Sequence, residues 1–205
     1  MHVLSATGRR RRREAKRNAE TILDTAVTVL AQRPDSSMGA IADAAGVSRQ
    51  TVYAHFASRR HLVDAAVTRA LDRAAAQIDA ARPDEGPADK AMRRLIATSW
   101  AIVAGHGAVL NAARAELAPD VLHARHEPIR TRIGRLVERG RGDGSFNRDL
   151  PEEWLLAVFF ALLHASAETR LEGLDETSVA AALEFTILRA LRPADATRSL
   201  GDFGS

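Results

Sequence analysis

The chain is predicted to be all-α: a small N-terminal helix-turn-helix domain joined by one long helix to a larger helical domain, about nine helices in all. Three observations carry that prediction. Apolar residues recur at intervals of three and four along almost the whole chain, the spacing that lines one face of a helix, and no stretch alternates as a half-buried strand would. The main breakers, Pro34, Gly46, the run RPDEGP at 82–87, Pro119, Gly173 and Pro193, fall between those periodic stretches. Near the N-terminus, two very short periodic segments flank a single glycine, and each is preceded by a serine able to cap it.

Residues 1–13 read as a flexible tail, polar at first and then an unbroken arginine run from Arg9 to Arg13. A helix is expected from Glu14 to Arg33, with Ile22, Leu23, Ala26, Val27 and Leu30 as its apolar stripe. Pro34 ends it, because proline disfavours helical geometry in the residue before it. Met38 to Ala45 follows, with Met38, Ile41, Ala42 and Ala45 on one face. The Ser37 hydroxyl can accept from the free N–H groups of its first turn, and Gly46 supplies the left-handed residue that stops it. Val47 anchors the turn, and Ser48 caps a further helix to about Phe56. A fourth helix opens at a Ser58 cap and runs to about Arg82 on Leu62, Val63, Ala66, Val67, Ala70, Leu71, Ala74 and Ile78. At 1.5 Å per residue it is roughly 36 Å long, enough to leave the first domain and enter a second.

Beyond the loop at 82–87, Ala88 to Ala104 carries Ala91, Met92, Leu95, Ile96, Ser99 and Val103 on one face. A break is expected at Gly105–Gly107, then a helix from Ala108 to Leu117, and another from Pro119 to about Arg141 with a kink or break near Pro128. Residues 140–150 read as a Gly- and Asp-rich loop. The helix at 151–171 begins with proline and two glutamates, good N-terminal signals. From Trp154 to Leu163 its residues are all apolar. A helix apolar all round has to be covered all round. The core of its own chain covers one side; a partner subunit, a ligand cavity or both must cover the other. A last amphipathic helix occupies 175–191, and 194–205 reads as a loose tail. The expected domains are 14–76 and 77–193.

On a helical wheel the second helix of the turn places Val52 and Phe56 inward, while Gln50, Thr51 and Ala54 point away, flanked by Arg49, Tyr53 and His55. A merely solvated face usually carries Glu and Lys. Gln and Arg can bond base edges, Thr can bond phosphate or touch a thymine methyl, and Tyr can reach phosphate. The arrangement is that of a helix-turn-helix whose second helix reads the major groove.

The stretch IADAAGVSRQTVYAHFASRRHLVDAAV resembles the DNA-binding signature of TetR-type transcriptional regulators, through Ile41-Ala42, Ala45-Gly46-Val47-Ser48, Thr51-Val52-Tyr53, His55-Phe56, Arg59 and Leu62. Gly39 departs from the pattern as a poor helix former early in its helix, and Arg59 stands where the family often has Lys. The resemblance is strong over the N-terminal third and covers only architecture beyond it. It implies a ligand-responsive regulator, a repressor with an activator as the alternative, binding a palindromic double-stranded DNA operator as a homodimer. The helices 151–171 and 175–191 would form a four-helix interface with their copies. It implies DNA contacts from Ser37, Ser48, Arg49, Gln50, Thr51, Tyr53, His55 and Arg59, with Arg49 and Gln50 as base readers and the rest mostly on phosphates.

Charge agrees with that reading. Residues 1–62 hold eleven basic against five acidic side chains, whereas the remainder holds eighteen against twenty-one. The positive excess therefore lies with the helix-turn-helix. The run containing Arg10, Arg11, Arg12 and Arg13 is either a solvated tail or an arm for the minor groove and phosphates, and the two readings are compatible.

Other chemistry is thinly supported. There is no cysteine, which excludes disulfides and thiolate chemistry. No apolar run approaches the roughly 20 residues of a membrane span, and no apolar segment follows the charged N-terminus as in a secretory signal, so a cytoplasmic protein is expected. His123, His126 and Glu127 could share a metal, but without an HExxH motif the solvated reading is preferred and no metal or cofactor is expected. No nucleophile elbow, P-loop or dinucleotide motif is present, so no catalytic residue is expected. Trp100, Asn111, Phe160 and His164 are candidates for lining an effector site, with core packing as the default for the aromatics. The alternative from another class is a helical ligand-binding protein or enzyme with a vestigial DNA-binding head. A steep fall of DNA affinity with salt separates it from a regulator.

Overall fold

The computed structural model describes the backbone of residues 3–168 and 175–193, and their side chains apart from 3–7, 106–108 and 168. Among the described residues there is no strand. The helices are α1 (Val3–Gln32), α2 (Met38–Ala44), α3 (Arg49–His55), α4 (Arg59–Ala80), α5 (Ala88–Glu116), α6 (Pro119–Asp143), α7 (Glu152–Glu168) and α8 (Glu176–Leu191). At the glycines, α5 divides into Ala88–Gly105 and Val109–Glu116, so the expected nine helices are recovered when its halves are counted separately. The break expected at Gly105–Gly107 is thus a division within one element rather than a loop. Pro128 lies inside α6, where its missing N–H costs one hydrogen bond of the ladder.

The N-terminus departs further from expectation. Residues 3–13 belong to α1 instead of a loose tail. Ala and Arg are good helix formers, and Arg10 pairs with Glu14 one turn on at 3.3 Å. Residues 8–18 are nonetheless exposed on every face, so this part of α1 has no packing of its own. The tail at 194–205 and the helix end at 169–171 lie outside the described residues.

The described chain divides into two compact units, one of residues 1–72 with 108–125, the other of 73–107 with 126–205. The division in α4 falls between Asp72 and Arg73. The inclusion of 108–125 in the first unit is a long-range association that linear reading does not contain.

In the first unit, Ile22, Ala26, Val27 and Leu30 of α1 pack against Ile41 and Ala42 of α2, Val52 of α3, and Leu62, Val63, Ala66 and Val67 of α4, all buried. Val109, Ala112, Ala113 and Leu117 of α5 complete this core. Burying a Leu, Ile, Val or Phe side chain contributes about 1.5–3 kcal/mol, which is what holds helices of only seven residues in place. Ion pairs brace the outside: Arg69 of α4 reaches both carboxylate oxygens of Asp24 on α1, at 3.0 and 3.4 Å. Arg125 of α6 holds Asp64 at 3.1 Å.

In the second unit, two arginines pin the loop at 81–86. Arg94 donates to the carbonyls of Ala81, Arg82 and Glu85 at 2.8–3.0 Å. Arg139 donates to those of Pro83, Asp84 and Gly86 at 2.6–3.0 Å. Arg132 forks onto Asp79 at 2.7 and 3.1 Å, tying α6 to the last turn of α4. The segment expected as a loose loop at 140–150 is internally packed. Phe146 is buried so tightly against Gly140 that a Cβ there would lie 2.1 Å from its ring. The backbone N–H of Asn147 donates to Leu191 at the end of α8.

α7 packs on α8. Leu155, Leu156, Phe159 and Leu163 turn inward and are buried, while Trp154, Ala157, Ala161 and Ala165 are exposed along the opposite stripe. On α8, Val179, Leu183, Ile187, Leu188 and Leu191 are buried, and Phe185 is 68% exposed. No single described helix is long and apolar enough to cross a membrane.

Candidate nucleic-acid interface

The geometry of the turn between α2 and α3 follows from three local devices. Ser37 is the N-cap of α2, its Oγ accepting from the Ala40 N–H at 3.2 Å. At the other end, Val47 N–H donates to the Ala42 carbonyl at 3.0 Å and Gly46 N–H to that of Asp43 at 3.2 Å. That pair of bonds is the Schellman motif, and it requires the left-handed residue that Gly46 supplies at φ +67°. Val47, partly buried against the core, is the accompanying hydrophobic contact. Ser48 then caps α3, accepting from Thr51 N–H at 3.1 Å and sharing a 2.8 Å hydrogen bond with the Thr51 hydroxyl.

Val52, fully buried, orients α3 on the core. The outward face carries Arg49, Gln50, Tyr53 and Ala54, with Tyr53 53% exposed. Thr51 and His55 are half-buried at its border, the His55 ring lying 6.4 Å from that of Phe56. The wheel placed Thr51 outward and Tyr53 at the flank; packing reverses their emphasis, because the cap draws Thr51 toward Ser48. Ser37 and Ser48 have structural work as caps. Arg49 bends toward α2: its guanidinium lies over Gly39, where a Cβ would sit 2.7 Å from Cζ, Nε and Nη2.

Arg59 does not project from this face with free donors. Its Nε donates to the Ser36 carbonyl at 3.1 Å, its Nη2 to the Pro34 carbonyl at 2.6 Å, and its Nη1 to the carboxylate of Glu116. A fork of fixed geometry thus joins the loop between α1 and α2 to the end of α5. The expectation that Arg59 chiefly serves phosphate did not anticipate these acceptors, since Glu116 lies 57 residues away in the chain. Arg9 to Arg13 are exposed on the unpacked early turns of α1, a helical array of guanidinium groups.

The expected effector residues fall in both units. Phe160 and His164 are together, their rings stacked at 6.4 Å and 20°. Arg130 of α6 lies over Phe160 at 5.5 Å, and Phe159 meets it edge-on at 5.4 Å. Trp100 is half-buried in the same unit. Asn111 belongs to the first unit, where it is exposed and accepts from Arg114 at 3.2 Å. Arg130 was missed by the sequence reading, for want of any local signal linking it to Phe160. His123 is exposed, and among the described residues no three His, Cys, Asp or Glu side chains gather as a metal site.

Comparison with known proteins places this architecture. Residues 22–66 match the profile described as bacterial regulatory proteins, tetR family. The chain is 30% identical over 179 residues to the HTH-type transcriptional repressor LfrR of Mycolicibacterium smegmatis, covering 82% of this chain and 87% of that one. The crystal structure of LfrR in complex with proflavine superposes with a TM-score of 0.69 at 28% identity, covering 86% of this chain and 97% of that one. FadR of Bacillus subtilis in complex with stearoyl-CoA shares the fold alone, with a TM-score of 0.70 at 15% identity over 84% of this chain and 99% of that one. The caps, the Schellman turn and the outward face of α3 are therefore the DNA-binding head of a transcriptional regulator, and the chain belongs to the TetR family of bacterial regulatory proteins.

Proposed function

We propose that the chain is a ligand-responsive repressor that binds a palindromic operator as a homodimer in the cytoplasm. The observation that carries the reading is the outward face of α3: a short helix locked by its cap and by Val52, presenting Arg49, Gln50 and Tyr53 to solvent. Gln50 has the geometry for a bidentate contact to an adenine, and Tyr53 for a phosphate. The basic first turns of α1 add sequence-independent attraction to the backbone.

The exposed stripe of Trp154, Ala157, Ala161 and Ala165 on α7, together with the exposed Phe185 on α8, supports pairing with a second copy. Alanines permit close approach of helices, and two large exposed apolar side chains supply the driving force. Two copies related by a two-fold axis would set α3 in successive major grooves about 34–36 Å apart. The cluster of Phe160, His164 and Arg130 is the preferred effector contact, apolar with a few polar anchors. LfrR in complex with proflavine is the precedent for a small-molecule effector. An effector acts by binding the DNA-competent and incompetent states unequally.

The test is selection of duplexes from a random library by the full chain, followed by titration of the recovered site at rising KCl. A palindromic consensus is expected, with log affinity falling linearly against log salt. Recovery of no consensus, or affinity indifferent to salt, contradicts the reading.

A further inference from the structure

Arg49 and Gly39 belong together. The guanidinium of Arg49 occupies the space a side chain at position 39 would fill, since a Cβ there would stand 2.7 Å from three of its atoms. Gly39 is an unfavourable choice inside a seven-residue helix, where it costs stability relative to alanine. Its lack of a side chain therefore has a use, and the atoms nearest the vacated space are all Arg49's. The contact is one of shape: among the described residues, no carboxylate or carbonyl is hydrogen-bonded to the Arg49 guanidinium. Arg59, by contrast, has its donors taken by Pro34, Ser36 and Glu116. Arg49 is thus held in place with its donors open.

The place where it is held matters. In a helix-turn-helix the first helix crosses the sugar-phosphate backbone and the second enters the groove. Arg49 starts on the second helix but lies against the first. A guanidinium seated there faces the backbone, and reaching a base edge would mean leaving the Gly39 seat. We infer that Arg49 is a phosphate clamp rather than a base reader, and that Gly39 is the positioning residue that holds it so. Base reading then falls to Gln50, with Tyr53 beside it. The inference rests on the DNA-binding reading above and refines which residue carries sequence information.

The experiment uses the full chain and the duplex selected by the wild type, with a panel of single-base-pair variants of that duplex. R49A should lose affinity by a similar factor on every duplex, roughly tenfold per half-site for one charged hydrogen-bonding contact. Its salt slope should fall by about one per protomer. G39A should show the same uniform pattern, to a smaller degree, while melting no lower than wild type because Ala is the better helix former. In the R49A background, G39A should cause no further loss. R49A relaxing preference at one base pair, or G39A weakening R49A as much as wild type, overturns the inference. A DNA-free measurement separates it from the wider reading. The Arg49 Nε–H resonance should be ordered in wild type and averaged in G39A; a mobile wild-type resonance removes the seat. A wild-type chain that selects no duplex removes the phosphate role together with the proposed function, and leaves the seat to be judged by the resonance alone.

Discussion

Glu152 shows how one side chain can be placed against its own ionisation. It stands in the first turn of α7 with its carboxylate oxygen packed over Gly134 of α6, where a Cβ would approach to 2.8 Å. Burial raises its pKa, and the negative charge of Glu138 raises it further, with Arg141 opposing. The folded state therefore holds this proton more tightly than the unfolded chain does. Its contribution to stability is fully present below the ordinary carboxylate pKa and is lost as pH rises through the folded value. Glu152→Gln should accordingly stabilise the protein near neutral pH and lose that advantage in acid near about pH 4, as measured by thermal midpoints at the two pH values. An equal shift at both would point to packing instead of charge. Nothing in the sequence around Glu152 marks it. Two glutamates at a helix start read as ordinary N-terminal signals, and only the approach of α6 makes one of them costly.

Elements were legible where their signals are local. Ser37, Gly46 and Ser48 are consecutive instructions for a helix start, a stop and a new start, and the observed caps and Schellman bonds use all three. Pro34 and Pro193 likewise lie beyond helix ends as read. The helical start of α1 was not read because a run of arginines reads as a solvated tail, while helix propensity and the pair Arg10–Glu14 favour continuation of the helix. Arg59 is the other lesson at this scale. Its three acceptors come from two distant segments, so its role in setting α2 relative to α4 and α5 is invisible in a window of sequence. Arg59→Ala should cost about 2 kcal/mol in denaturant unfolding, since a part-buried Glu116 loses its partner. Arg59→Lys should cost nearly as much, because a point charge cannot serve three acceptors at once. If the lysine variant keeps both stability and operator affinity, charge toward phosphate is the dominant role and the brace is incidental.

At the scale of the molecule, the open question in the sequence was what covers a helix apolar on all sides. The structure answers half of it: Leu155, Leu156, Phe159 and Leu163 face the core of their own unit, whereas Trp154 remains 58% and Phe185 68% exposed. A second copy is the proposed cover. Placing a charge there, as in Phe185→Glu or Trp154→Glu, should yield monomers by light scattering with unchanged helical circular dichroism. Operator affinity should fall steeply, because the second half-site is no longer bound as part of the same assembly. A dimer that persists in both variants would move the interface elsewhere. By itself the sequence determined the helical class, the order of most helices, the turn and its caps, the inward burial of Val52 and the family, because periodicity and capping are properties of neighbours a few residues apart. Only the tertiary structure decided that α5 returns to complete the first core through Val109, Ala112 and Leu117, that Arg59 is a brace, that Arg49 rests on Gly39, and that Arg130 joins Phe160 and His164. Each of those depends on contacts between segments far apart in the chain, which burial enforces and no local pattern encodes.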